Sequence, residues 1–256
     1  MSIDWTISHA AIWRQYNRTL RPVRDIDPVQ LADLIGIDQQ KQQVVTNTER
    51  FLCGNPANNV LLWGARGTGK SSLVKAVFNA FRSKSLRLVE VDKDDLVNLP
   101  EIVDGLREQP YKFIVFCDDL SFETGESVFK HLKSVLEGSV EVAPANVLVY
   151  ATSNRRHLLP ERMSDNLQTE LVDGEIHYAD AVEERISLSD RFGLWVAFYP
   201  GSLENYLSIV DHLFREYSGN REELHAAAKL FAAARAARSG RTARQFYNHY
   251  HKSDPD

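Results

Sequence analysis

Cysteine is scarce: Cys53 and Cys117 are the only two in 256 residues, and they form no CxxC. That is too few thiols for a disulfide framework or a cysteine-based zinc site, and it fits a reducing cytoplasm. An excess of positive charge is missing as well. Thirty Lys+Arg stand against thirty-five Asp+Glu, a net charge of −5, whereas a protein that coats nucleic acid is strongly basic. No apolar run approaches the roughly 18 residues that would span a membrane. Met1 to Trp13 has no basic flank followed by an apolar core, so no secretory leader is expected. Repeats and low-complexity blocks are absent. The eight histidines show no metal-ligand spacing, and His249 and His251, two apart, do not share a helix face. No Ser-His-Asp or Cys-His pairing, helix-turn-helix or zinc-finger signature stands out.

The composition that remains, 43% hydrophobic and 25% charged, is that of a folded globular chain with enough apolar surface to offset its conformational entropy. Met1 to Pro28 is polar with scattered apolar anchors and reads as one helix followed by an extended RPVRDIDP arm. Gln30 to Cys53 reads as helix broken near Gly36. Five short apolar runs then read as buried strands: Val60–Trp63, Leu86–Val91, Phe113–Cys117, Val147–Thr152 and Leu194–Phe198. Helical spacing separates them, at Leu73 to Phe81, Leu96 to Arg107 and Val128 to Leu136. A polar stretch, Arg155 to Asp190, precedes the fifth strand. After Pro200-Gly201 only helical patterns follow, at Leu203–Phe214, Leu224–Arg238 and Ala243–Tyr250. The expected architecture is α/β, with a five-stranded parallel sheet and a small C-terminal α-helical lid. The expected divisions are an N-terminal arm (1–30), a core (31–200) and the lid (201–256).

Gly64-Ala65-Arg66-Gly67-Thr68-Gly69-Lys70-Ser71 matches G-x-x-x-x-G-K-[ST], with a strand before it and a helix after it. The glycines let backbone N–H groups turn toward a β-phosphate. Lys70 can reach β- and γ-oxygens, and the Ser71 hydroxyl can ligate Mg²⁺. With Ser72, the start of the next helix points its positive end at the anion. Asp118 and Asp119 close the third strand. A carboxylate there can hold a magnesium hydration shell, and its neighbour can orient or deprotonate water. Alternatively, both are solvated aspartates capping a turn.

The order of these motifs, over about Leu31 to Phe246, resembles that of AAA+ ATPases of the P-loop NTPase superfamily. LLWGARGTGKSSLVKA, DDLSFE, ATSNRRHLLPE and LSDRFGL more specifically resemble a bacterial family of single-domain AAA+ ATP-binding proteins. The resemblance makes GARGTGKS the Walker A motif and Phe113 to Asp119 the Walker B motif. It implies that Leu34-Ile35-Gly36-Ile37 packs on adenine, that Asn154 is the water-placing sensor 1, and that Arg191 in SDRFG is an arginine finger reaching a neighbour's γ-phosphate. Arg241 in SGR would be the sensor 2 arginine, with Arg244 as the alternative. ATP/ADP and Mg²⁺, held by Ser71 and Asp118, are the implied cofactors. A homo-oligomer, a ring or open ring, and an unidentified protein partner are the implied assemblies.

Two departures qualify the resemblance. Asp119 stands where most of the superfamily has Glu, a feature shared with replicative initiators and helicase loaders, which implies hydrolysis that is slow. Lys93 to Pro100 has none of the aromatic residues that threading unfoldases present there. Arg235, Arg238, Arg241 and Arg244 recur every third residue and could track phosphates. Residues 201–256 nevertheless hold eight Lys/Arg against seven Asp/Glu, which favours a solvated face with one functional member. Arg155, Arg156 and Arg162 either face a neighbour or pair on the surface with Glu161 and Asp165. Arg191 has its own bland alternative, pairing within its chain with Asp190 or Glu184. The function expected is an Mg²⁺-dependent ATPase that couples its nucleotide cycle to assembly and partner remodelling. A DNA-associated loader, a non-hydrolysing nucleotide-dependent binding module and a small-molecule kinase remain as rivals.

Overall fold

The computed structural model describes residues 3–121, 129–137, 142–155, 170–172, 175–177 and 190–250. Its main sheet has seven strands: β1 (Ala10–Arg14), β2 (Thr19–Pro22), β3 (Val60–Gly64), β4 (Leu86–Glu90), β5 (Lys112–Cys117), β6 (Val147–Ser153) and β9 (Leu194–Phe198). The order across the sheet is β2-β1-β4-β5-β6-β3-β9. Every neighbouring pair is parallel except β1 with β2. A separate antiparallel pair joins β7 (Glu170–Val172) to β8 (Glu175–His177).

The five expected strands are present within a residue or two, but the sheet is larger than five. The N-terminal residues expected to be helical form the β1–β2 hairpin. Ala11 and Trp13 face one buried layer while Ala10 faces the other, an alternation that belongs to a strand. Arg18, at φ 47°, turns the chain between the two strands. The hairpin also covers what would otherwise be an open edge of β4, a surface prone to pairing with other chains. Arg87 of β4 is buried beneath it, with Nε donating to the Trp5 carbonyl at 2.9 Å.

The central strands are apolar throughout because both faces are covered. In β5, Phe113, Val115 and Cys117 face the layer containing α3 (Leu99–Arg107), while Ile114 and Phe116 face the layer containing α1 (Asp38–Leu52) and α2 (Lys70–Phe81). A 3₁₀ segment, Lys93–Asn98, precedes α3 where continuous helix was expected from Leu96. Asp92 explains the difference, because its side chain accepts from the Asp94 N–H and caps the tighter turn. Helix α4 (Phe129–Glu137) packs against α3.

The C-terminal helices α5 (Leu203–Leu213), α6 (Arg221–Ala234) and α7 (Gly240–Tyr250) enclose their own apolar cluster, which includes Tyr206, Phe214 and Phe246. These aromatics are buried core of the C-terminal helices. Ser202 and Asn220 cap α5 and α6 by accepting backbone N–H groups, as N-cap residues do.

Candidate functional site

A cleft of about 1150 Å³ lies between the carboxyl ends of the sheet strands and the C-terminal helices. Ligands of open α/β sheets bind at such strand ends. Its floor is the turn from β3 into α2. Gly64 has φ +129°, and a Cβ there would lie 2.0 Å from the Phe198 carbonyl oxygen, so only glycine lets β3 end against β9. The turn brings Lys70 to the first position of α2, where it is only 7% exposed. Its Nζ donates to the carbonyls of Gly64 at 2.8 Å and Ala65 at 2.7 Å, and to Asn154 Oδ1 at 3.1 Å. Burial pushes this ammonium below the ordinary lysine value; Asp119 and Asp118 pull it back up, while Arg241 and Arg66 add to the depression.

The acidic side of the cleft is assembled from β5 and β6. Ser71 Oγ donates to Asp118 Oδ1 at 2.6 Å, and Thr152 Oγ1 donates to the same oxygen. Asn154 Nδ2 donates to Asp119 Oδ1. Asp119 has a left-handed backbone, φ 51°, and its N–H donates to Thr152 Oγ1 at 2.9 Å. A non-glycine residue held in this region beside a cleft marks a constrained position. The two carboxylates are exposed to the cleft, yet each accepts a hydrogen bond from a neighbouring element.

The donor set Ser71 and Asp118 suits a hydrated Mg²⁺, which takes one or two oxygen ligands from protein and the rest from water and phosphate. Among the described residues no cluster of three His, Cys, Asp or Glu could hold an ion without a ligand's help.

Ile35, Gly36, Arg66, Gly67, Thr68, Gly69, Lys70, Ser71, Ser72, Asp118, Asp119, Asn154 and Arg241 all line this one cleft. Gly64 and Ala65 lie beneath it and meet it through the carbonyls that receive Lys70. Arg191 is not among the cleft-lining residues of its own chain; it is half-buried just ahead of β9. Arg156, Arg162, Glu161, Asp165 and Glu184 lie outside the described residues.

Of the two candidate lid arginines, Arg241 stands nearer the phosphate loop. Its Cβ is 3.3 Å from where a Gly67 Cβ would lie, and its charge is felt at Lys70. Arg238 and Arg244 also line the cleft, so three of the four arginines spaced by threes face it. All four are nonetheless solvent-exposed, so the row is the solvated face expected, and three of its members border the cleft. Arg235 instead stacks on Phe231 at 3.6 Å. Sequence reasoning also passed over Thr152 and Asn205. Asn205 sits against Gly36, where a Cβ would meet its Oδ1 at 1.9 Å. A strand-end polar pair after an apolar run was the available signal for Thr152; nothing in sequence pairs Asn205 with Gly36.

A family model described as "Protein of unknown function (DUF815)" matches residues 6–254. The chain belongs to this family. Shorter stretches of the chain are similar to parts of two curated proteins. Over 79 residues, 27% of this chain and 20% of the other, it is 40% identical to the 26S proteasome regulatory subunit 6B homolog of Schizosaccharomyces pombe. Over 69 residues, 27% of this chain and 16% of the other, it is 36% identical to the replication factor C large subunit of Staphylothermus marinus. The chain thus matches a fifth or less of the length of these curated relatives. Among solved structures, two mutant forms of RuvB from Thermotoga maritima align with 86% of this chain and 72% of theirs. Their TM-scores are 0.52 and 0.50 at 12% and 13% identity. At that identity the likeness is one of fold, the AAA+ P-loop fold that the motifs resemble.

Proposed function

We propose that this DUF815 protein is an Mg²⁺-dependent ATP-binding and ATP-hydrolysing AAA+ module that couples its nucleotide cycle to homo-oligomer assembly and partner remodelling. The observation that carries the reading is the meeting of Lys70, Ser71, Asp118, Asp119 and Asn154 in one cleft. In this reading the backbone N–H groups from Gly67 to Ser72 and the α2 N-terminus receive the triphosphate. Lys70 exchanges its carbonyl partners for phosphate oxygens, which reverses the electrostatic penalty of its burial. Ser71 and Asp118 hold Mg²⁺. The ion, once bound, neutralises charge developing on the transferred phosphoryl group.

Asp119 and Asn154 orient the attacking water. Leu34, Ile35 and Gly36 line the apolar end of the cleft and suit the adenine. The core, 31–200, and the helical lid, 201–256, close on one another through Arg241, with Arg238 and Arg244 adding positive charge on the same face. The N-terminal arm, 1–30, supports the core through its hairpin. Arg191 does not line the cleft of its own chain, which suits an arginine finger serving a neighbouring copy. Among the described residues no helix is long and apolar enough to cross a membrane, and a cytoplasmic setting agrees with the two free thiols.

Phosphate release tests the reading directly. Wild-type protein with ATP and Mg²⁺ should release free phosphate, and chelation of the metal or Lys70→Ala should stop it. Phosphate appearing on an acceptor would favour a small-molecule kinase. Strong stimulation by DNA would favour a loader, and tight ATP binding with no turnover at any protein concentration would favour a pure binding module.

A further inference from the structure

We infer that Thr152 is a positioning residue that aims both strand-end carboxylates, Asp118 and Asp119, through a single hydroxyl. The inference rests on the ATPase reading above and assigns a role there to a residue that the reading leaves without one.

Thr152 lies on β6 and is 1% exposed. A threonine hydroxyl has one proton to donate and lone pairs to accept with. Here the proton goes to Asp118 Oδ1. The oxygen accepts the Asp119 N–H at 2.9 Å. The Thr152 carbonyl takes the Leu120 N–H at 2.7 Å, so three successive residues after β5 are tied to this one position. The Asp119 bond lies at the φ 51° residue, where an outside partner helps hold a backbone conformation that costs energy.

Asp118 Oδ1 also accepts from Ser71 Oγ at 2.6 Å and from the Asp119 N–H at 3.1 Å. A Ser71 hydroxyl that lent a lone pair to Mg²⁺ would keep its proton for Asp118, so Ser71 and Thr152 are two side-chain donors that hold the same carboxylate oxygen from two elements. Thr152, buried on β6, is the one of the pair that would fix Asp118 without itself being a ligand. Groups that orient metal ligands in this way are worth about 10- to 100-fold in metal affinity. One hydroxyl therefore links the metal-side carboxylate to the backbone of the water-side carboxylate.

The test compares wild type, Thr152→Val, which keeps the shape and removes the hydroxyl, and Thr152→Ser, which keeps the hydroxyl. Mn²⁺ is titrated by electron paramagnetic resonance into full-length protein saturated with ADP, and turnover is measured separately. We expect Thr152→Val to weaken Mn²⁺ binding about tenfold or more and to lower kcat with KM for ATP little changed. Its binding of nucleotide in chelator should stay within about twofold of wild type, and Thr152→Ser should restore metal binding and kcat.

A merely structural threonine would lower the melting temperature and leave the Mn²⁺ affinity of the folded fraction unchanged; that result overturns the inference. If Thr152→Val does not fold, Thr152→Ser against Thr152→Ala gives the same comparison, and equal Mn²⁺ affinities overturn it. Wild type that turns over ATP alongside an unaffected Thr152→Val removes this inference alone. Wild type that binds no nucleotide overturns the ATPase reading and this inference with it.

Discussion

The side-chain amide of Asn154 donates to Asp119 Oδ1, joining the end of β6 to the end of β5. The same Asn154 accepts from Lys70 Nζ at 3.1 Å through its Oδ1. One carboxamide thus touches the phosphate-loop lysine and the carboxylate proposed to orient water. Asp119→Asn should keep ATP affinity but slow hydrolysis at least tenfold, since general-base help is typically worth about 10²–10⁴ in rate. Asn154→Ala should lower kcat in the same direction, because Asp119 loses its side-chain partner. Single-turnover hydrolysis beside equilibrium nucleotide binding checks both. Unchanged turnover in Asp119→Asn would leave Asp119 as a strand-end residue only.

Lys70→Ala should cost about 2–4 kcal/mol of nucleotide affinity, the range for charge-assisted contacts to phosphate, or roughly 30- to 1,000-fold. Arg191→Ala should bind nucleotide nearly normally and lose most turnover, as arginine fingers contribute about 10³–10⁵ in kcat elsewhere. Mixing the two variants should recover activity, because some interfaces then join an intact phosphate loop to an intact Arg191. Specific activity of wild type should also rise with protein concentration. Activity independent of concentration, with no recovery on mixing, would remove the oligomeric reading.

Cys117 gives a pH prediction with a definite sign. Burial pushes its thiol up from 9.0 to about 12, with Asp118 and Asp92 adding to the shift. A group raised in the folded state contributes stability that is fully present below the unfolded value and lost as pH rises through the folded one. Stability should therefore fall between pH 9.0 and about 12, and Cys117→Val should flatten that fall when melting temperatures are compared across the range. Tyr150, raised by burial despite its bonds to Thr48 and Asn47, acts with the same sign in both proteins. Native protein should also present one reactive thiol, Cys53, which is exposed. Two thiols titrating at neutral pH without denaturant would contradict the burial of Cys117.

Gly36 has φ +77° and faces the Asn205 side chain across the junction with the C-terminal helices. Gly36→Ala should cost about 1–2 kcal/mol for the left-handed backbone plus the steric clash, and should weaken nucleotide binding. Asn205→Ala should relieve the steric part only. A double-mutant cycle on thermal unfolding then reads out the coupling, expected at about 0.5–3 kcal/mol; strict additivity would mean that the two positions do not bear on each other.

The parts of the fold legible in sequence were those with a local signature. β3, β5, β6 and β9 are short apolar runs between turn residues, and the phosphate loop is a spacing of fixed residue types. The β1–β2 hairpin was not legible, because Ala10 to Arg14 is too short a run to tell strand from helix by its period and its partner β4 lies in a distant part of the chain. The near balance of charge in residues 201–256 agrees with the exposure of Arg235, Arg238, Arg241 and Arg244, but charge counted along a sequence does not show which of them border a cleft. Thr152 was hidden for a different reason. It stands inside the ATSNRRHLLPE segment, yet only the position of Asp119 in space shows that its hydroxyl has two tasks.

The inserted position of β1 bears on how the chain is made. Ala10 pairs with Leu88, and among the described residues β1 joins β2 to the rest of the sheet. The hairpin precedes β4 in the chain, so the pairing of Ala10 with Leu88 forms only once β4 has been made. A truncation that removes the hairpin would leave β4, with Leu88 and Val89 at its centre, as a bare edge available to the same strand of another copy.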